Sequence, residues 1–285
     1  MSTQTPGSLK RTHSYHASAT AISGHLQLPL VREIRPQALT ELHKEGGYFS
    51  QRVEHFSVEG VITLRSASTQ VSGNKSTKHG QGWTTLTTTT LEGLNVLDVV
   101  TADRIVGQII TEHPLEGYVP SISFLGTRFE NLRIAGYPVD LDLDHNILGA
   151  KPDGDGAYTQ HPGLIARAKG QYKRVLESSE LPEDLRERYN QLSSNPGGAE
   201  AVECSLVNRA NGSFPGHSFG HIISVPDFGK IILAGLKVSH AEPHPTTGVP
   251  KITNVHLNML DMKLGCVAAG MISVGSGSTN GGTVP

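Results

Sequence analysis

Cysteine is scarce in this sequence, with two in 285 residues, and tryptophan occurs once. Two thiols cannot build the disulfide framework of a small secreted domain, so the fold has to rest on a buried core, for which the chain is long enough. Long apolar runs are also missing, and none approaches the roughly 18 residues of a membrane-spanning helix. Neither sign of charge is in large excess. With 24 Lys+Arg against 26 Asp+Glu the formal net charge is -2, which argues against the broad basic field of a nucleic-acid-binding surface. The first residues, "MSTQTPGSLKRTHSYHASATAISGH", carry Lys10 and Arg11 with no apolar run behind them, so a secretory signal is not read there. The expectation is a disordered tail over residues 1–24 and, for the chain as given, a cytoplasmic protein.

In place of these features there is glycine, at 32 residues, with abundant threonine and serine and only 18% charged residues, a balance that favours strands and turns. Alternation over "YFSQRVEHFSVEGVITLRSASTQVSG" changes parity between Val53 and Phe56, and the interruption at 58–61 reads as a bulge or bend. Four consecutive threonines at 87–90 belong in a strand that pairs with this one across the turn "GNKSTKHGQG". Three stretches share one pattern: Leu91 to Val96, Phe129 to Ile134 and Leu233 to Val238. Each is apolar, Glu or Ala, Gly or Asn, Leu, polar, β-branched, which predicts a repeated strand device with a left-handed residue in the third place. Helical periodicity appears between His161 and Leu192, with Leu164, Ala168, Tyr172 and Val175 on one stripe and a second helix opened by Pro182. The fold expected is mostly β, an antiparallel β-sandwich-like domain over residues 25–274 with a two-helix insertion at about 162–193 and a flexible tail over 275–285.

The run "LNVLDVVTADRIVGQI", followed by "FENLRIAGYPVDLDLD" and "VPDFGKIILAGLKV", resembles the β-rich bacterial proteins grouped as choice-of-anchor P. The resemblance covers about half the chain. It implies an extracellular, cell-surface β domain and brings no catalytic residues with it.

Two sets of residues carry metal chemistry on paper. Asp140, Asp142 and Asp144 alternate with Val139, Leu141 and Leu143, as a half-buried strand requires, and the plain reading is a wet strand face. The sharper reading joins them to Asp153 and Asp155 of "KPDGDGAY" around calcium, which takes several oxygen ligands from a flexible loop. Among 14 histidines, His217/His221 and His240/His244 have i, i+4 spacing. The nearby Pro and Gly argue against helices, but both pairs flank the Ile222–Val238 hairpin, whose ends could gather them around zinc. Met259, Met262 and Met271 read as strand core, and no nucleophile elbow or P-loop frame is present.

These features rank a non-catalytic structural or binding module first, with a protein or a polar small ligand as its partner. The alternatives are a metal-dependent enzyme acting on a polar substrate through the His or Asp sets, and a small-ligand carrier whose pocket lies between sheet and helix pair.

Overall fold

The computed structural model describes residues 12–29, 31–58, 60–78, 80–196, 200–241, 252–265 and 268–284. The chain opens with a long strand, β1 (Thr12–Leu28), followed by the collinear pair β2 (Arg32–Gln37) and β3 (Thr40–Lys44). It then crosses to a second sheet and runs an antiparallel meander of β4 (Gly47–Val58), β5 (Ile62–Lys75), β6 (Gln81–Val96) and β7 (Val100–Pro114). The threonine run lies in β6, where Thr87 and Thr89 are buried and Thr88 and Thr90 are half-buried, as alternation on a pleated strand demands. Short strands β8 (Ser121–Ser123), β9 (Arg128–Glu130) and β10 (Arg133–Ile134) all pair with β7, β11 (Tyr137–Pro138) pairs with β10, and β12 (Asp140–Leu143) leads into the insertion.

Helix α1 (Pro162–Leu176) buries Leu164, Ala168, Gln171, Tyr172 and Val175, and α2 (Glu183–Ser194) buries Leu185 and Tyr189. Proline opens both, at the first position of α1 and as the cap of α2, where a missing N–H costs nothing. The rest is strand: β13 (Ala201–Ser205), β14 (Val207–Asn211), β15 (His217–Phe219), β16 (Ile222–Val225), β17 (Gly229–His240), β18 (Thr253–Gly265), β19 (Ala269–Thr279) and β20 (Gly282–Val284).

The larger sheet has the order β15-β16-β17-β18-β19-β1-β2, with β13 on β17 and both β3 and β20 on β1; the smaller runs β11-β10-β7-β6-β5-β4 with β8 and β9 on β7. The centres of the two sheets face each other, β1, β19 and β18 against β5, β6 and β7, and enclose Ile22, Leu91, Ile105, Ile109, Met259 and Val274. The expected antiparallel sandwich with a two-helix insertion is the architecture found.

Both expected tails are corrected from Thr12 onward and through Val284. β1 runs through "THSYHASATAISGH" because Tyr15, Ala17, Ala19 and Ala21 point inward, and alanine leaves little hydrophobic signal in a strand. The end "GSGSTNGG" is core strand, not linker: a Cβ at Gly277 would lie 3.0 Å from Thr87 Cγ2. Thr89 donates its hydroxyl to the Ser276 carbonyl at 3.2 Å across the sheets. Glycine here permits close approach rather than flexibility. Met271, expected in the core, is 44% exposed.

A single device organises every long strand. In β6 the inward residues are 85, 87, 89 and 91, then 94 and 96; in β17 they are 231 and 233, then 236 and 238; in β18 they are 255, 257 and 259, then 260, 262 and 264. Each strand exchanges odd for even parity once. The registers align these points into one transverse line per sheet. In the smaller sheet it runs through His55, Arg65, Gly93, Asp103 and Asn131, and in the larger through Ala38, Ala21, Gly275, Met259, Ala234 and Leu206. Along each line alternate members hold a positive φ: His55 52°, Gly93 64° and Asn131 52°, then Ala38 47°, Gly275 71° and Ala234 43°. The repeated device thus has its left-handed residue in the third place twice, at Gly93 and Asn131. In the third copy it falls on Ala234, one place earlier. The parity change of β4 sits at His55, while Gly60 and Val61 lie in the turn into β5, where Val61 N–H donates to the Val58 carbonyl at 2.9 Å.

Gly275 is closely constrained in the core, because a Cβ there would lie 3.0 Å from Met259 Cβ and 3.3 Å from Leu91 Cδ1. Gly275→Val adds a left-handed penalty of about 1–2 kcal/mol and overpacking of about 1–3 kcal/mol. Urea denaturation should show a total loss of about 2–5 kcal/mol. Gly136→Ala, at φ 83° with nothing within 4 Å, should lose only about 1 kcal/mol.

Candidate functional site

The insertion closes over the outer face of the larger sheet where β13, β17 and β18 lie side by side. Helix α1 is fastened to β13 by side chains that imitate a neighbouring strand. Gln171 Nε2 donates to the Ser205 carbonyl at 2.8 Å, and its Oε1 accepts from Ser205 N–H at 2.9 Å. Tyr172 donates its hydroxyl to the Glu203 carbonyl. Ser205 completes the junction, donating from Oγ to the Leu233 carbonyl at 2.7 Å and accepting Val207 N–H at 2.8 Å. These bonds satisfy the backbone at the break between β13 and β14.

Helix α2 presents Tyr189, whose ring meets Tyr172 edge-on at 5.9 Å and whose hydroxyl is hydrogen-bonded to His221 Nε2 at 2.7 Å. His221 is buried, and burial, reinforced by Arg188 and Arg174, lowers its pKa from 6.5 to about 4. The imidazole is therefore neutral at pH 7. Burial pushes the Tyr189 and Tyr172 hydroxyls up and the Cys204 thiol up to about 12, so Cys204 is an inert thiol rather than a nucleophile.

Beside this pair, a cleft of about 210 Å³ opens between helices and sheet. One wall is Tyr172, Arg188, Tyr189 and Leu192 from the helices, and the other is Glu203, Ile232, Gly235, Lys237, His256, Asn258 and Asp261 from the strands. On the rim Glu203 bridges two cations, accepting from Arg188 Nη2 at 3.1 Å and lying 3.5 Å from Lys237 Nζ. Asn258 is tied to β19, donating to Ser273 Oγ at 3.2 Å and accepting from Ser276 Oγ at 3.3 Å. Asp261 differs from these, since its Oδ1 is buried with no hydrogen-bond partner among the described residues. Burial raises its pKa above the ordinary 3.8 against the opposing pull of Arg188 and His256. His256 is held below 6.5 by burial and by Lys237.

The residues singled out from sequence lie elsewhere, except His221. His217 is exposed, its Nδ1 3.1 Å from Glu180 Oε2, because Gly220 at φ 68° turns the chain between β15 and β16 and leaves one histidine wet and the other dry. His240 lies at the far end of β17, with Nδ1 3.0 Å from Thr159 Oγ1. His221 adjoins Ile222, which pairs with Ile232. Eight residues at ~3.3 Å each place His240 about 26 Å further along. The hairpin ends do not bring these histidines together, and His244 lies outside the described residues. Asp140 and Asp142 are exposed on β12 opposite Asn211 and Arg209, and Asp144 caps the next turn by accepting Asn146 N–H at 2.9 Å. Asp153 is exposed, whereas Asp155 clamps a loop through Tyr118 N–H at 2.6 Å. Among the described residues no three His, Cys, Asp or Glu gather to hold a metal ion. Cys204 is a free thiol, and Cys266 lies outside the described residues.

His221 makes stability depend on pH. Its pKa is about 6.5 in the unfolded chain and about 4 in the folded one, so the unfolded chain takes the proton first as pH falls. This site is neutral to stability above pH 6.5 and removes about 3 kcal/mol between pH 6.5 and 4. Chemical denaturation across that range should show the loss. His221→Leu should be less stable at pH 7 by about 1–3 kcal/mol, because Tyr189 loses its partner, yet have a shallower slope below pH 6.5.

No curated protein matches the chain in sequence. A family model does match residues 13–239, from the second residue of β1 to the last but one of β17, and so takes in both helices and the smaller sheet as well as β13. The chain belongs to the family described as Domain of unknown function (DUF8256).

Proposed function

We propose that the protein is a non-catalytic binding module that holds a small, neutral, hydroxyl-rich molecule in the cleft between its helix pair and the larger sheet. The observation that supports this reading is Asp261 Oδ1, a buried acceptor in the wall of the cleft without a partner among the described residues. A group left so is costly unless a ligand hydroxyl or amide donates to it. Size and polarity narrow the class. The cleft of about 210 Å³ is below the ~300–1,000 Å³ of sites for drug-sized ligands, which suits a molecule no larger than a monosaccharide. Glu203 is ion-paired with both Arg188 and Lys237, and with Asp261 the lining carries two carboxylates against two cations, so a strongly charged ligand gains little here. Ile232, Leu192 and the two tyrosines offer apolar contact to the C–H face of such a molecule, while His256 and Asp261 address its hydroxyls.

The test is titration calorimetry with a panel of monosaccharides and small polyols, accompanied by native mass spectrometry of the purified protein. A panel member should bind, and Asp261→Ala should weaken it about tenfold, the equivalent of about 1.4 kcal/mol. The reading fails if no panel member binds and the protein carries no non-covalent adduct, or if binding is indifferent to Asp261.

A further inference from the structure

The larger sheet ends in β15 and β2, and the smaller in β11 and β4. A strand at such an end presents a row of unpaired N–H and C=O groups, and proteins guard it by keeping it short or by placing proline and charge on it. Three of these four are guarded. β15 has three residues, β11 has two and includes Pro138, and β2 has six, with Pro36 among the exposed Arg32, Glu33 and Arg35. The strands off these paths, β3, β8, β9, β13 and β20, have three to five residues each.

β4 is the exception. It runs for 12 residues without proline or lysine, pairs with β5 along one edge, and has no strand along the other among the described residues. Residues 48–52 are all exposed, so both faces of the strand are wet there, with Tyr48 at 62% and Phe49 at 51%. Phe49, Gln51 and Val53 lie opposite the buried Val71, Thr69 and Ala67 of β5 and share their face, while Tyr48, Ser50, Arg52 and Glu54 point the other way. Arg52 Nη2 lies 2.9 Å from Glu54 Oε1, which balances the two charges of this stretch against each other. The left-handed backbone of His55 ends the regular stretch at Glu54.

We propose that β4 pairs antiparallel with β4 of a second copy about a two-fold axis at Gln51, joining the two smaller sheets into one. The side chains select this register. It sets Phe49 opposite Val53 twice, Tyr48 opposite Glu54 twice, Ser50 opposite Arg52 twice and Gln51 opposite itself. Apolar meets apolar, a phenol meets a carboxylate, and no like charges stand directly opposite. Residues of one parity meet residues of the same parity, so groups that point away from β5 in one copy meet groups that point away from it in the other. Moving the axis to Val53 would bring Arg52 opposite Glu54 but draw the left-handed His55 into the ladder. A two-fold contact closes on itself, so pairing stops at a dimer.

The experiment is sedimentation velocity on the full chain from ~1 to ~300 µM, a range suited to a small interface. Wild-type protein should pass from a single chain of 30.4 kDa to twice that mass. Gln51→Lys and Gln51→Glu, at an exposed position, each bring like charges together on the axis and should raise the dimer Kd roughly tenfold or more. An equimolar mixture of the two variants should recover the dimer, because opposite charges then meet. The pairing is overturned if wild type stays a single chain throughout, if either variant dimerises as wild type does, or if the mixture recovers nothing.

Discussion

The inversion of strand parity along one line in each sheet is the constraint on which the structure depends. A strand has a side-chain period of two, so once its inward face is set every later residue is assigned to core or solvent. Here the long strands break that rule together. Where one strand of a pair adopts a left-handed residue, its neighbour exchanges parity beside it without a change of register, as Gly275 and Met259 do. A lone inversion would drive a strand's apolar set into water, but a line of them leaves the core continuous. The cost is backbone strain at Ala38, His55 and Ala234, of order 1–2 kcal/mol each for a residue with a Cβ. It is tolerated because the registers on both sides are fixed by buried faces.

The same inversion builds the cleft. His256 and Asn258 share a parity, whereas Asp261 lies three residues beyond Asn258 and in an unbroken strand would point into the core. Because β18 exchanges parity at Met259 and Leu260, Asp261 returns to the outer face beside them. The line also separates β13 from β14 at Leu206, opposite Ala234, and Gln171 of α1 is bonded to the strand end exposed there. Gly235, next to Ala234, contributes no side chain and leaves room under α2. Strand geometry, helix docking and cleft therefore follow from one local conformation repeated across the sheet.

Much of this was legible in the sequence. Alternation, β-branched runs and the stripe from Leu164 to Val175 give the meander and the helix pair, and the recurrent pattern around Gly93 and Asn131 marks two points of the line. The larger sheet was harder to read at its ends, because β1 buries alanines and β19 buries glycines, which carry little hydrophobic signal and resemble tail. The histidine pairs misled because i, i+4 spacing has meaning on a helix, and these histidines occupy strands and turns. Asp261 was hidden for the reason that makes it matter: its place on the outer face is out of phase with His256 unless the inversion is known.

Both the parity inversion of β18 and the cleft place Asp261 on the outer face of the strand, half-buried, with its Oδ1 unpartnered among the described residues. Carbon-13 NMR titration of aspartate carboxyl groups, with Asp261 assigned by its loss in Asp261→Asn, measures this directly. The structure predicts that Asp261 titrates above the ordinary 3.8, displaced by burial. An Asp261 that titrates at or below that value would be solvated or ion-paired, and would contradict both the parity inversion of β18 and the cleft built on it.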